Sequence, residues 1–525
     1  MVNSRTLALV APPLGVAGLV ILNAWSGLMP GVGFWDTGEF QTVLPIMGTA
    51  HPTGYPTYVL LGFLGNILLA PIGEPAFRIT VLSLFAVAIA AAATLLLVKR
   101  LTGSTIVGVA TGLGLATTPV VWVNATRADP HPIHLMLVAL LLLALVSWQD
   151  ARREPGEDLA AARRADRRLV LAAVLFGLAA GNHSLALLLV PPIALFVLAV
   201  EPGIWRRWKL VLGCLAAAFG TVALVYLELP IRGGLVPATL IYGRPATWDG
   251  FWYIALAEQF RGSLDNPFGD LAGKLDKLGT LANAQLGLIA YAVPPAFLIS
   301  LWRAPRYTLL TGFALGITVL FNQSYANADI ERYYLGPALW IWTWLAILAV
   351  ELADLAAVLV GSATRRAWPV SLDDPVVRRA SVVAAAIVGV MLLVPTLGSL
   401  DARRHRADRS GDTGASTWLA EALPAIPQGA VVVSWWSTST ALWYAQKVEG
   451  LRPDIEIIDD RTMLDRGLGR APDVIAANLG KRPVYVIRLQ GRDTDELTRQ
   501  YDMTIVASGG STAVWAVTGR RAATP

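Results

Sequence analysis

An α-helical polytopic membrane protein of about eleven transmembrane helices, followed by a C-terminal extracytoplasmic α/β domain, is the fold class this sequence predicts, and three observations predict it. First, 55% of the 525 residues are hydrophobic and only 15% are charged, whereas soluble domains carry charge on roughly a quarter of their positions. Second, apolar runs recur from residue 7 to about 397 and then stop, each near the roughly 17 to 25 residues a helix needs to cross the hydrocarbon layer. Third, arginine and lysine gather in short clusters between these runs. In a membrane protein such clusters mark topology, so the net charge of +5 does not call for a nucleic-acid partner. The single cysteine, Cys214, lies inside an apolar run, which excludes a disulfide framework or a cysteine metal site within one chain.

The helices are expected near 7–28, 79–98, 106–123, 133–148, 169–181, 185–200, 210–228, 284–301, 307–321, 334–352 and 380–397. The first is read as a retained helix, because cleaving it as a signal would leave the later basic loops on the wrong side. Placing Arg5, Lys99, Arg100, the basic run at 152–168, Arg206, Arg207, Lys209, Arg303, Arg306 and the run at 365–379 in the cytoplasm satisfies every cluster, provided the apolar stretch 57–71 does not cross. That stretch is marginal in length and is expected to lie at the outer interface. Were it to span, the arginine-rich loop at 152–168 would face outward, against the positive-inside rule. The N-terminus is then cytoplasmic, residues 1–400 form the membrane domain with a first outer loop at 29–78, and residues 401–525 lie outside. Short β-branched runs at 430–434, 455–459, 484–488, 504–507 and 513–517 alternate there with helical patterns and Pro/Gly punctuation, the pattern of a small α/β domain.

Polar residues of catalytic type collect in the outer loops. The first reads Trp35-Asp36-Thr37-Gly38-Glu39-Phe40 and later His51-Pro52-Thr53-Gly54-Tyr55-Pro56. Asp36 and Glu39 share a helix face and can accept a proton or hold a divalent cation; the same spacing also suits a capping box at a helix start. The second outer loop carries Asn124-Ala125-Thr126-Arg127-Ala128-Asp129-Pro130-His131, with His134 beyond. Arg127 can grip a lipid phosphate with two parallel hydrogen bonds, or anchor at the headgroups. Asp129, His131 and His134 could hold a metal, although prolines at 130 and 132 interrupt the regular helix that would align them. Asn182-His183 and the segment from Asn327 to Arg332, followed by Tyr333, are polar groups at membrane depth, where such groups face a cavity or one another. Arg232, Tyr242, Arg244, Trp248 and Trp252 mix cations with aromatic rings in the fourth outer loop.

The order of motifs Asp-x-Gly-Glu at Asp36 to Glu39 and His-Pro-x-Gly-Tyr-Pro at His51 to Pro56 resembles the signature of the protein O-mannosyltransferase-like polytopic membrane family. Gly181-Asn182-His183, Tyr226-Leu227 with Arg232, Gly243-Arg244-Pro245 and Val448-Glu449-Gly450-Leu451-Arg452-Pro453-Asp454 extend the resemblance along the chain. That family is similar in layout to the GT-C glycosyltransferases. The resemblance implies Asp36 as the catalytic carboxylate, the stretch 57–71 as a juxtamembrane helix, and a polyprenyl-phosphate sugar donor. Where relatives often carry an acidic-aromatic pair in the second outer loop, this chain has Asp129-Pro130-His131.

The function expected is therefore inverting transfer of a sugar, mannose by resemblance, from a polyprenyl-phosphate donor to an acceptor hydroxyl on protein Ser/Thr or a glycan, at the outer face of the cell membrane. Asp36, Glu39 and His51 are the expected catalytic residues. Tyr55, Arg127, Asp129, His131, His183, Arg232, Arg332 and Tyr333 are the expected substrate-binding ones. Trp435, Trp436 and Trp443 of the outer domain would present the acceptor. A transporter or lipid flippase is the alternative, but transporters place ionisable groups near the midplane and show repeated halves. Here the charges gather at loops of one side and no repeat is evident.

Overall fold

The computed structural model describes residues 4–153, 159–325, 329–366, 370–371, 373–489, 492–509 and 512–521. Apolar sequence of this kind must satisfy its own backbone hydrogen bonds, and helices do so within one segment. The chain runs through α1 (Ser4–Ala24), α2 (Trp35–Ile46), α3 (Pro56–Leu68), α4 (Pro75–Thr102), α5 (Thr105–Ala116), α6 (Pro119–Ala125), α7 (His131–Arg153), α8 (Leu159–Asn182) and α9 (Val190–Val200). It continues through α10 (Trp208–Tyr226), the single turn α11 (Glu228–Pro230), α12 (Trp248–Ala255), α13 (Leu271–Leu286), α14 (Val293–Arg303), α15 (Pro305–Ser324), α16 (Leu335–Arg365) and α17 (Pro375–Gly398).

Among the described residues, seven helical stretches are long and apolar enough to cross a membrane, or eight if the bent pair α5 and α6 counts as one span. Their 67° bend falls at Pro119, whose missing N–H and preceding extended residue interrupt a helix. The three other expected crossings are helical too, but Ser184–Val200 is shorter and α8 and α15 are more polar. Length and composition thus give seven or eight crossings where the sequence led us to expect about eleven. The stretch expected to lie at the interface forms α3, 13 residues long, which at about 1.5 Å per residue is too short to cross.

Hydrogen bonds between helices supplement packing where lipid removes the hydrophobic drive. The Trp342 indole donates to Thr118 Oγ1 at 2.9 Å and the Trp344 indole to Thr311 Oγ1 at 2.9 Å. Leu212, Phe219 and Leu224 on α10 and Val383, Val390 and Met391 on α17 point outward and exposed, a surface suited to lipid. At one end of the bundle the basic clusters meet carboxylates: Arg100 with Asp150 at 3.2 Å, Arg152 with Glu201 at 2.8 Å, Arg207 with Asp166 at 2.5 Å and Arg303 with Glu351 at 2.5 Å.

At the opposite end sit α2, α3 and the remaining elements: α18 (Leu400–Ala407), α19 (Gly414–Ala425), β1 (Val431–Val433), α20 (Trp436–Trp443), β2 (Glu456–Ile458), α21 (Asp460–Arg466), α22 (Ala471–Asn478), β3 (Val484–Leu489), α23 (Arg492–Gln500), β4 (Tyr501–Gly509) and β5 (Thr512–Arg520). The strands form one sheet in the order β2-β1-β3-β5-β4, parallel across β2, β1 and β3 and antiparallel beyond. All five lie where the β-branched runs place them. Both faces of β1 are buried, as expected for a central strand. Val432, Ile487 and Val514 pack with Trp418, Leu419, Val32 from the segment between α1 and α2, and Ala76 from the first turn of α4. Val431, Val433, Val484 and Val486 pack with Met463, Val474 and Ile475 on the other side.

One tyrosine pins the sheet to the bundle. Ala76 N donates to the Tyr444 hydroxyl at 3.1 Å, and that hydroxyl donates to Glu74 Oε2 at 3.1 Å. Tyr444→Phe leaves a buried N–H unpaired, and we expect it to cost about 1–2 kcal/mol of stability, read as a lowered Tm of the detergent-solubilised protein.

Candidate functional site

The two motifs of the first outer loop meet because local backbone geometry turns them toward each other. Gly38 in α2 admits no side chain: a Cβ there would lie 2.2 Å from the Gly33 carbonyl oxygen and 2.9 Å from Thr440 Oγ1, so α2 can rest against α20. Gly54 has φ +79°, and a Cβ on it would meet Ile254 at 2.9 Å. Tyr55 follows with φ +50°, a conformation a non-glycine residue holds only when its surroundings impose it. Pro56 then opens α3, where its fixed φ and absent N–H fit. This turn delivers His51 and Tyr55 to the N-terminal turn of α2.

There Glu39 Oε1 accepts from His51 N at 2.8 Å, Glu39 Oε2 pairs with His51 Nδ1, and His51 Nε2 lies 3.0 Å from the Tyr55 hydroxyl. The capping box does not form. The N-cap of α2 is Phe34, with no side-chain bond, because both Glu39 oxygens go to His51 and Asp36 turns the other way. Asp36 Oδ2 lies 2.7 Å from Arg332 Nη1, which also reaches Asp129 Oδ2 at 3.5 Å. Arg127 Nη2 approaches Asp129 at 3.6 Å and Asp329 at 3.7 Å, and donates to Asn124 Oδ1 at 3.0 Å. Asp129 Oδ1 accepts from His131 N at 2.8 Å and pairs with His131 Nδ1 at 2.7 Å.

These neighbours decide the charges. Burial would raise the Asp36 carboxyl, but the His51 and Arg332 charges outweigh it and hold Asp36 below the usual carboxylate range. Burial likewise works against ionised Asp129 and is overcome by His131, Arg332 and Arg127, so Asp129 stays ionised well below that range. His51 moves upward: burial disfavours its charge, and the Glu39 carboxylate more than restores it.

A cavity of about 940 Å³ opens above this cluster, lined by Asp36, His51, Tyr55, Arg127, Asp129, His183, Arg332 and Tyr333 among the expected residues. His131 lies just behind it, its ring 4.7 Å from that of His183 and 5.1 Å from that of Tyr333. Glu39 reaches it only through His51. Arg232 is elsewhere: it donates to the carbonyls of Met47 and Ile46, both at 3.0 Å, and so closes the C-terminus of α2 rather than touching the cavity. Of the segment from Asn327 to Arg332, Asn327 and Ala328 lie outside the described residues. Sequence reading missed Phe260, Arg261, Arg409 and Arg461, which also line the cavity; among the outer-domain tryptophans only Trp436 does so. No local pattern pointed to Arg461, which lies 5.8 Å over the ring of Tyr242 from a distant part of the chain.

The wall has a particular deficit. Arg127 Nε and Arg332 Nε are both buried without a hydrogen-bond partner, two cationic donors whose natural complement is an oxyanion. Asp36, Glu39 and His51 offer ligand atoms within 4.8 Å of one another. Two carboxylates and an imidazole fit a divalent cation by donor type, with the His51–Glu39 contact opening to admit it. Asp129, His131 and His134 do not form such a group among the described residues.

Arg332→Ala strands two carboxylates beside each other, and we expect it to cost about 3–5 kcal/mol of stability. Adding Asp129→Asn to that variant should restore about 0.5–3 kcal/mol; thermal unfolding of the four proteins of the cycle checks both values.

Comparison with known proteins finds kin on sequence and on shape. Residues 36–203 match the family model described as the protein O-mannosyl-transferase TMEM260 N-terminal domain. Protein O-mannosyl-transferase TMEM260 of Mus musculus is 26% identical over 446 residues, 82% of this chain and 59% of the relative. The Dictyostelium discoideum protein of the same name is 24% identical over 323 residues, covering 58% of this chain and 39% of the relative. The chain thus spans about three fifths or less of these relatives. Among solved structures, ArnT from Cupriavidus metallidurans bound to undecaprenyl phosphate superposes with a TM-score of 0.61 at 16% identity, over 97% of this chain and 98% of that one. The Archaeoglobus fulgidus oligosaccharyltransferase tethered with an acceptor peptide gives 0.55 at 14% identity, over 96% and 74%. The fold is that of the GT-C proteins.

Proposed function

Because the chain resembles the O-mannosyltransferase-like family and has the GT-C fold, we propose that it transfers mannose from a polyprenyl-phosphate donor to a serine or threonine hydroxyl of a protein acceptor. The supporting observation is the pair of unpartnered Arg127 and Arg332 Nε atoms set beside Asp36 in one cavity. A lipid phosphate fits the arginines, and a carboxylate within the same wall fits a base. The relatives named for O-mannosyl transfer and the ArnT structure with undecaprenyl phosphate are in keeping with that chemistry.

In the step we infer, Asp36 takes the proton of the acceptor hydroxyl. The oxygen attacks the anomeric carbon, the bond from that carbon to the phosphate oxygen breaks, and polyprenyl phosphate leaves with the electron pair. Arg127 and Arg332 stabilise the phosphate charge as it develops. Arg332 also times the base. While it holds Asp36, the carboxylate is weakly basic; a phosphate competing for the guanidinium loosens that hold and raises the basicity of Asp36 when a donor is present. Glu39 and His51 orient the α2 turn that carries the base. A divalent cation held by Asp36, Glu39 and His51 would supply Lewis-acid stabilisation of the leaving oxygen. In this reading residues 1–400 form the catalytic membrane domain, the N-terminus is cytoplasmic, and site and sheet face outward.

The test is mannosyl transfer from synthetic polyprenyl-phosphate mannose to a Ser/Thr peptide by purified protein and by Asp36→Asn, with and without EDTA. Asp36→Asn should lower the rate about 10²- to 10⁴-fold while the variant keeps its elution profile and Tm. EDTA-sensitive transfer assigns a cation to the Asp36, Glu39 and His51 group; EDTA-insensitive transfer leaves the step to the side chains alone. Wild-type protein that transfers no sugar from this donor refutes the proposal.

A further inference from the structure

Behind the first helical turn of α2 lies a second cavity, of about 350 Å³, between the 239–242 segment and the elements around β2 and α21. Asp36 lines the first cavity and Glu39 the second, so the two voids meet across the carboxylate pair. Arg461 stands between them and lines both, donating to Gln259 Oε1 at 2.5 Å.

The second cavity is rich in carboxylates: Glu39, Asp454, Glu456, Asp459 and Asp465 line it. Four are already engaged, Glu39 by His51, Asp454 by Arg452 at 2.8 Å, Glu456 by Arg482 at 2.9 Å and Asp465 by Gly243 N at 2.7 Å. Asp459 differs. Its Oδ1 caps α21 by accepting from Thr462 N at 2.9 Å, whereas its Oδ2 has no partner although the residue is 0% exposed. Thr49 Oγ1, in the same wall and equally buried, has none either. A buried carboxylate oxygen left without a donor is costly and asks for one.

The backbone beside it says what kind of molecule brings that donor. β2 is an edge strand. Glu456 N donates to Ala430 O at 3.0 Å and Ile458 O accepts from Ser434 N at 2.9 Å, so those two residues turn to β1. By the alternation of a strand, Ile457 between them turns its N–H and C=O to the free edge, and Ile457 lines the cavity. An extended polypeptide fits such an edge by adding a strand; a sugar or lipid acceptor has no matching row of amides.

We propose that the second cavity seats the acceptor as an extended polypeptide segment, which pairs with the β2 edge at Ile457, donates to Asp459 Oδ2 and Thr49 Oγ1, and passes its hydroxyl by Glu39 to Asp36. The proposal rests on the transferase reading and adds the acceptor's class and place to it. The first cavity then holds the donor, and the two substrates approach the base from different sides.

The experiment uses the full chain in nanodiscs, with polyprenyl-phosphate mannose as donor and a fluorescent Ser/Thr peptide as acceptor, reading transfer kinetics and, separately, peptide anisotropy without donor. Asp459→Asn keeps the Oδ1 cap and replaces only the unpartnered oxygen. Ile457→Pro removes the outward N–H together with a side chain packed on the core, so its Tm is read alongside. Each should raise the peptide KM and the peptide Kd on the order of tenfold, the worth of about one such hydrogen bond, with the donor KM unmoved and Tm retained. Unchanged peptide KM and Kd in both variants overturn the acceptor seat while wild-type transfer keeps the reaction. Peptide binding that weakens in both variants without any wild-type transfer keeps the seat and overturns the reaction. Wild-type protein that neither binds nor mannosylates the peptide overturns both.

Discussion

The guanidinium of Arg332 is the point on which the site's geometry depends. It enters from the short helical turn just before the long helix α16, contacts Asp36 at 2.7 Å and Asp129 at 3.5 Å, and so fixes three distant stretches of chain to one another. Burial opposes the charge of both carboxylates, and this one arginine favours it in each. In the function we propose, the same group also seats the donor phosphate, so structural integrity and substrate recognition draw on one side chain, and the site is firm when empty and loosened at Asp36 when occupied.

Around that centre the glycine-containing motifs act through shape. Gly38 and Gly54 contribute no chemistry; they let α2 lie against α20 and let the chain turn with φ +79° beneath Ile254. His51 is thereby held within hydrogen-bond reach of both Glu39 and Tyr55. The motif reads as catalytic in sequence, yet most of its positions serve to aim two carboxylates in different directions from a single helical turn.

How much of this was legible in the sequence follows from which interactions are local. Apolar runs and basic clusters are one-dimensional signals, and they located the helices and the common end of the polar loops. The five strands announced themselves through β-branched runs between turns. Spacing alone could not decide whether Asp36 and Glu39 cap a helix, since that depends on Arg332, some 300 positions away, and on His51. Nor could it separate Arg232, which binds the carbonyls of Ile46 and Met47, from Arg127, which lines the cavity; both are arginines a few residues beyond the end of an apolar run. Length and composition by themselves single out seven or eight of the eleven expected helices, because α8 and α15 are helical but more polar and Ser184–Val200 is shorter.

The cavity walls come from both extremes of the chain: Phe34 to Thr37 at one limit and Arg409, Trp436 and Arg461 at the other. A ribosome delivers those groups in that order, with the whole helical bundle between them. During synthesis the carboxylate pair therefore precedes the groups that complete the wall around it. Only when the sheet-bearing segment folds and docks through Tyr444 onto Glu74 and Ala76 is the wall of the cavity complete.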